Sequence, residues 1–513
     1  MGMASGRSSG DAPAILVLGD PKLRERCAPV QSPLPSELAA LAAALAEARG
    51  RLGFGRAIAA PQIGLARRMI MVDLGAGPFA VINPEIAWRS DELFEVWDDC
   101  FSVPDQLVRV RRHRSISLAF RDEAMRPRAW RELPPDLAEL LQHEIDHLDG
   151  VLMVDRAIDA ASLRPASQRS ELVAPRAPHR LALDRIAEAA RSIDPVFLHS
   201  PQLVCEPIAE LVGCRLTLKV ETVNPIRSFK GRGADYAVAK LVERAGPGPG
   251  RGREQIVCAS AGNFGQGMAH ACRKRGLPIT VFAAHGANPL KLERMRGLGA
   301  EVRSAGADLE EAKQTARAWA AERGARFVED GEDPHISEGA GSIAVELLAR
   351  GDAFDAMVVP IGDGALINGI ARWVKAASPA TRVIGVCSRG APALAEAWRR
   401  QRDGLPPQAP PAMPGTIADG IAVRNPIAAS VEDMRGQVDD IVLVEDAALI
   451  AAMRALHRHA GLVTEPAGVA GLAAVMAGQV DLAGQRVATV ICGGNATRDQ
   501  LVAFDILEQG AGE

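Results

Sequence analysis

From Leu181 onward come short apolar runs, most of them followed by a helix-like stretch: Gln255–Ala259, Ile279–Ala283, Ala356–Pro360, Arg382–Val386 and Val487–Ile491. Such alternation predicts α/β architecture, a largely parallel sheet with helices on both faces. The first 155 residues read differently. Strand-like runs at Ile15–Leu18, Met69–Leu74 and Ser115–Phe120 accompany an Ala-rich helix and a second helical stretch at Pro135–Leu148, an α+β pattern. Between the two patterns lies ASLRPASQRSELVAPRAPHR, which has no sustained hydrophobic period and suits an exposed connector. The predicted domains are therefore 13–160 and 180–513, joined by a linker at 161–179. GPGPGRG (246–252) is expected as a loop inside the second domain, and no solenoid repeat is visible.

With 513 residues and 48% apolar content, the chain can build full-sized cores. Its 59 basic and 63 acidic residues give a net charge of −4, so no global field draws it to nucleic acid or a membrane surface. Small-molecule partners are expected instead. Eight cysteines have no framework spacing, the start MGMASGRSSGDAPA is unlike a signal peptide, and no apolar run is long enough to span a bilayer. A soluble protein of a reducing cytoplasm is the expectation.

The most specific short motif of the front part is HEIDH, His143 to His147, inside the helical run DLAELLQHEIDHL. Spacing of i, i+4 places both imidazoles on one helix face, near enough to share an ion. Two ligands alone do not make a site, and HExxH also arises by chance on charged helices. Cys100, which alone reads as a buried thiol, would complete three protein ligands and leave a fourth position open, the pattern of a catalytic ion. AIAAPQIG around Gln62, WDDCFSVPD and HEIDH, in this order, resemble peptide deformylases, whose pattern runs GxGLAAPQ, EGCLS, HExxH. The opening ILVLGDPKLRERCAPV is similar to that family's start, and the resemblance covers roughly residues 13 to 160.

That resemblance implies Cys100, His143 and His147 as ligands of Fe(II) or Zn(II), Glu144 as general acid and base, and Gln62 with the Phe101 N–H as donors to the formyl oxygen. There are departures. Arg56 and Ala57 precede Ile58 where the family has Gly before Leu-Ala-Ala, and EGCLS reads DDCFS. Ala57 and Asp99 are expected to narrow or recharge the substrate groove, and Asp99 to set a negative charge near the thiolate. The basic cluster Arg109, Arg111, Arg112, Arg114 reads as a solvated strand face.

In the rear part, NPIRSFKGRGA places Lys230 after a turn-rich segment; a lone lysine is usually a surface charge. Three Gly-rich turns at strand ends change that reading. ASAGNFGQG (259–267) and PIGDGALINGIA (360–371) each lie between strand and helix, where backbone donors cradle an anion, and CGGN (492–495) follows the last strand. Together with TIADGIAV and TEPAGVAGLAA they resemble the serine/threonine dehydratase and threonine synthase superfamily of pyridoxal-phosphate enzymes, a two-lobed α/β fold like the tryptophan synthase β subunit, from about Leu181 to the end.

By that resemblance Lys230 bonds the cofactor's aldehyde carbon and later acts as base at the substrate α-carbon. Asn263 meets the ring hydroxyl, and Gly362, Asp363, Gly364 and Ala365 present N–H groups to the phosphate. Ser260, Ala261 and Gly262 receive the substrate carboxylate, while Cys492 sits beside the pyridine nitrogen. A neutral thiol there disfavours a lingering carbanion and favours elimination or replacement at the β-carbon, which suits serine or threonine. Asp363 is tolerable beside a phosphate only if its side chain turns away. Relatives that bind a divalent cation carry an acid where Cys387 stands, so no cation site is expected; nor is a regulatory domain, since only residues 496–513 follow CGGN.

The whole reads as a bifunctional enzyme, a metal-dependent deformylase fused to a pyridoxal-phosphate lyase. It would act on a small amino acid, free or N-formylated, or on a formylated peptide, and the superfamily suggests a homodimer. The alternative is a degraded front domain serving as a binding or assembly module, with only the pyridoxal-phosphate enzyme active, by elimination, β-replacement or racemisation.

Overall fold

The Ala-rich run behind Pro35 forms helix α1 (Pro35–Leu52) in the computed structural model of the chain, which describes residues 12–173, 179–245, 254–350, 353–408 and 414–507. The predicted loop 246–252 lies outside the described residues, as do the first eleven residues, 174–178 of the predicted linker and the last six. The chain divides into two compact units, Met1–Pro178 and His179–Glu513.

In the front unit, proline at the first turn favours the start of α1, and Gly53, at φ +73°, ends it in the left-handed conformation. Its Leu41, Ala44, Leu45 and Ala48 pack with Ile58 of β1 (Ala57–Ala59), Met69 and Met71 of β2 (Met69–Val72), and Ala80 and Ile82 of β3 (Phe79–Arg89). After β4 (Leu93–Asp98) and β5 (Gln106–His113) come β6 (Ile116–Arg121) and β7 (Pro127–Trp130). One antiparallel sheet has the order β1-β2-β3-β6-β7. Helix α2 (Pro135–Leu148) follows, buried at every position from Leu140 to Leu148, as befits a helix with protein on all sides.

Two stretches depart from expectation. Ile15–Leu18 forms no strand; instead the Leu16 and Leu18 N–H groups donate to the carbonyls of Gln62 and Ser102, tying the start of the unit to two motif segments. The stretch expected as an exposed connector carries β8 (Leu163–Pro165), which pairs with β5 in a second sheet of order β4-β5-β8, and the short helix α3 (Arg169–Leu172). The three residues of β8 are too few for periodicity to reveal.

In the rear unit, α4 (Leu183–Ser192), β9 (Gln202–Val204), α5 (Glu206–Val212), β10 (Arg215–Val220) and α6 (Lys230–Ala245) come first. A first lobe then alternates β11 (Ile256–Ala259), α7 (Asn263–Lys274), β12 (Ile279–Ala283), α8 (Pro289–Gly297), β13 (Glu301–Ser304), α9 (Leu309–Arg323) and β14 (Arg326–Phe327). A second lobe continues through α10 (Pro334–Ala349), β15 (Ala356–Pro360), α11 (Ala365–Ala377), β16 (Arg382–Ser388), α12 (Ala393–Arg402) and α13 (Ala428–Asp433). It closes with β17 (Asp440–Val444), α14 (Asp446–Ala460), α15 (Ala470–Met476), β18 (Arg486–Ile491) and α16 (Arg498–Ala503). Two sheets result, a parallel one of order β13-β12-β11-β14 and a larger one of order β17-β16-β15-β18-β10-β9, parallel except at β9. Strands β11, β12 and β15 are buried throughout, so their sequences are continuous apolar runs without alternation.

Among the described residues, no helix is long and apolar enough to cross a membrane.

Candidate active sites

Helix α2 carries His143, Glu144 and His147 into the core of the front unit, and the turn after β4 brings Cys100 to them. The Cys100 Sγ lies 3.2 Å from His147 Nε2, and one ligand atom from each of Cys100, His143 and His147 falls within 4.8 Å of the others. All three are buried. His143 Nδ1 lies 2.9 Å from Asp98 Oδ2, the carboxylate contact that commonly orients a metal-ligating imidazole. Burial opposes charge on His143, but Asp98 overrides it and holds the ring well above its ordinary range. Burial, reinforced by the charge on His143, pulls His147 well below.

Gln62 is held from both ends. Its Oε1 accepts from the Ala59 N–H at 2.9 Å, and its Nε2 donates to Ser102 Oγ at 3.2 Å and toward Cys100 Sγ at 3.6 Å. Burial pushes the Glu144 carboxyl up to about 7. The soft and borderline donor set, together with buried, unpartnered Glu144 Oε2 and His147 Nδ1, fits Fe(II) or Zn(II). Gly55, at φ +107°, lies so near Phe101 that a Cβ would sit 2.0 Å from the ring, so glycine there lets the chain close on the Cys100 turn.

The motifs did not announce the charges behind these side chains. Arg112, expected with its neighbours on a solvated face, is 4% exposed and donates to Asp98 at 2.9 Å and Asp146 at 2.5 Å. Arg109 and Arg111 instead meet Glu95 near the surface. A signal existed: positions 108, 110 and 112 share one face of β5, and the first two are valines. Asp99, next to Cys100, is paired with Arg169 at 2.6 Å, so its charge is countered.

In the rear unit, Lys230 begins α6, and its placement follows from the residues just before it. The Phe229 N–H and the Ser228 hydroxyl both donate to the Cys492 carbonyl, pinning the SFK segment to the CGGN turn. The Lys230 ammonium pairs with Asp330, whose other carboxylate oxygen is buried without a partner. Burial pushes the Cys492 thiol up to about 12, so it is neutral. Asn263 donates to Glu465 at 2.5 Å and accepts from Asn495 at 2.7 Å. Burial raises Glu465, with Lys291 opposing.

Gly364 caps α11 at φ +94°, and a Cβ there would meet Ser430 Oγ at 2.0 Å, while one on Gly362 would meet the Gly420 carbonyl at 2.8 Å. The Asp363 carboxylate faces Lys313 at 3.8 Å, which answers its charge. The Ser260 Oγ accepts from the Gly262 and Gly265 N–H groups and so shapes the start of α7. An amine, a glycine-lined helix N-terminus, a fixed asparagine and a neutral thiol make a donor set that fits pyridoxal phosphate. Asp330 and Glu465 escaped the motif reading because single acids in VEDGED and TEPAG carry no spacing signal.

Residues 195–493 match the family described as pyridoxal-phosphate dependent enzyme. The chain belongs to that family. Residues 12–162 match the polypeptide deformylase family, so a deformylase-like unit precedes the pyridoxal-phosphate-dependent one. An L-threonine ammonia-lyase of Thermotoga maritima is 34% identical over 319 residues, 61% of this chain and 76% of that protein. The catabolic L-threonine dehydratase TdcB of Staphylococcus aureus is 29% identical over 65% of this chain and 93% of its own. Among solved structures, a threonine deaminase from T.th. superposes with a TM-score of 0.56 at 32% identity, covering 61% of this chain and 98% of that one. Maize serine racemase gives 0.56 at 26% identity, covering 62% and 95%.

Proposed function

We propose that the chain is a bifunctional enzyme. Its rear unit is an ammonia-lyase that uses pyridoxal phosphate on a hydroxy-amino acid such as threonine or serine. Its front unit hydrolyses an N-formyl amide to formate and a free amine. The observation that carries the proposal is the convergence of each donor set: Cys100, His143 and His147 on one buried point, and Lys230 pinned beside the neutral Cys492.

In the rear unit the residues that would hold the cofactor are Lys230, Asn263, the 362–365 loop and Cys492, and when bound it supplies an electron sink at the substrate α-carbon. The Lys230 amine is the base placed to lift the α-proton, with Asp330 holding it in position. The Cys492 thiol stays protonated and gives the ring nitrogen no counter-charge, which favours departure of the β-hydroxyl over transamination. Loss of water followed by hydrolysis leaves ammonia and a keto acid, in line with the threonine ammonia-lyase relatives.

In the front unit Cys100, His143 and His147 are the residues that would hold a metal ion, which when bound would supply Lewis acidity for amide hydrolysis. Glu144 is the group beside the ligands that takes up a proton and returns it to the leaving amine. Gln62 Nε2 and the Phe101 N–H are the donors for the developing oxyanion. A formylated amino acid has no free amine for Lys230 to exchange with, so for such a substrate deformylation must precede the lyase reaction.

The test supplies N-formylthreonine to anaerobically purified protein and follows formate, keto acid and metal content. Formate should precede keto acid, Glu144→Gln should abolish both while free threonine still yields keto acid, and Cys100→Ala should lose a stoichiometric transition metal. A front unit without metal, or keto acid formed with no formate, would make that unit a binding module and overturn the bifunctional reading.

A further inference from the structure

The front cavity is walled on one side by a segment beyond the deformylase match. That match ends at residue 162, and the chain then adds β8 and α3. Arg169, Ser170, Leu172 and Val173 of this addition line a cavity of about 890 Å³ that is also lined by Cys100 and Glu144. Arg169 is the clamp. Its guanidinium lies 2.6 Å from Asp99, just after β4, and 3.8 Å from the centre of the Phe54 ring, just before β1. The segment therefore crosses from one lip of the cleft to the other, at the level of Cys100.

The two lips are strand edges. Among the described residues β1 pairs only with β2 and β4 only with β5, so each keeps one edge without a strand partner. Residues of both strands, Ala57 and Val96 among them, line the cavity. Open edges facing a cleft are where an extended peptide is held as an added strand. Here the strap of residues 169–173 stands across its continuation. The cavity that remains has the size of a small-molecule site. Asp99, where the deformylase pattern has glycine, has a role on this reading: it is the anchor of the strap.

We propose that Arg169 determines specificity by clamping this strap, which restricts the hydrolytic site to short substrates, N-acylated amino acids and dipeptides, and excludes acylated protein chains. The proposal rests on the hydrolase reading above, and two readouts separate their failures.

The first uses the metal-loaded full chain and compares kcat/KM for N-formylmethionine and a formylated tripeptide. The wild type should prefer the amino acid at least tenfold, and Arg169→Ala should raise the tripeptide-to-amino-acid ratio at least tenfold, with Leu172→Ala moving it in the same direction. An unchanged ratio overturns the proposal. The second readout needs no hydrolysis: alkylation of Cys100 in metal-free protein, mapped by mass spectrometry, with iodoacetamide and with a biotinylated maleimide. The bulky reagent should be at least tenfold slower at Cys100 in the wild type than in Arg169→Ala, whereas the small one should differ by less than threefold. Equal rates for the bulky reagent overturn the strap whatever the activity. Gated labelling with no formate from either substrate overturns the hydrolase reading instead.

Discussion

Arg112 and Arg232 are each buried with carboxylates on two sides. Arg112 lies between Asp98 and Asp146, and Arg232 between Glu221 and Glu346. A charge so placed is tolerated only because its partners and hydrogen bonds replace water, and removing one partner strands the rest. Glu346 accepts from Arg232 at 2.7 Å and from Lys219 at 2.6 Å; although burial opposes its charge, these bonds hold its carboxyl at about 2. Between that value and the ordinary glutamate range the unfolded chain binds more protons than the folded one, so stability rises with pH across the window. The contribution is complete above about pH 4.5 and is lost as pH falls toward 2. Glu346→Gln should therefore weaken the rear unit by roughly 3 kcal/mol at pH 7, less as the pH falls below 4.5, measured by urea unfolding. A deficit that is the same at pH 3.5 and pH 7 contradicts this account.

At the scale of elements, the loop from Ile361 to Gly364 couples β15 to α11, and its shape rests on one left-handed glycine. Gly364→Ala would strain φ at +94° and drive a methyl into Ser430, whose hydroxyl donates to the Asp363 carbonyl at 2.6 Å. A strain of about 1–2 kcal/mol corresponds to roughly a tenfold loss of cofactor affinity, read by absorbance titration with pyridoxal phosphate. Wild-type affinity in that variant would show that the loop does not hold the phosphate. Five of the ten described rear strands, β11, β12, β15, β16 and β18, were legible because a buried parallel strand is a continuous apolar run, and α2 because its motif sits in a long periodic stretch. The strand expected at Ile15–Leu18 is an apolar run too, yet it pairs with Gln62 and Ser102 rather than with a sheet. Composition reported the apolar character of that run, and only its neighbours decided the pairing.

At the scale of the whole molecule, each unit has its own core: one is built on α1 and β1 to β3, others on the strands and helices of the rear lobes. A metal that binds only the folded front unit stabilises that unit alone, by about 4 kcal/mol when its concentration is a thousandfold above Kd. Calorimetry should show two transitions. Chelation should lower the front one by roughly 8–16 °C while leaving the rear transition and the keto-acid activity on threonine in place. A single transition that moves as one on chelation would contradict independent cores. Local patterns in the sequence settled which residues could do chemistry, because i, i+4 spacing sets a helix face and a glycine-rich turn after a strand sets a cradle without help from distant parts. The tertiary structure decided which charges answer them: Asp98 and Arg112 behind His143, Asp330 at Lys230, Arg169 on Asp99. One carboxylate or guanidinium looks like any other along a chain, and only the crossing of remote segments selects the pair.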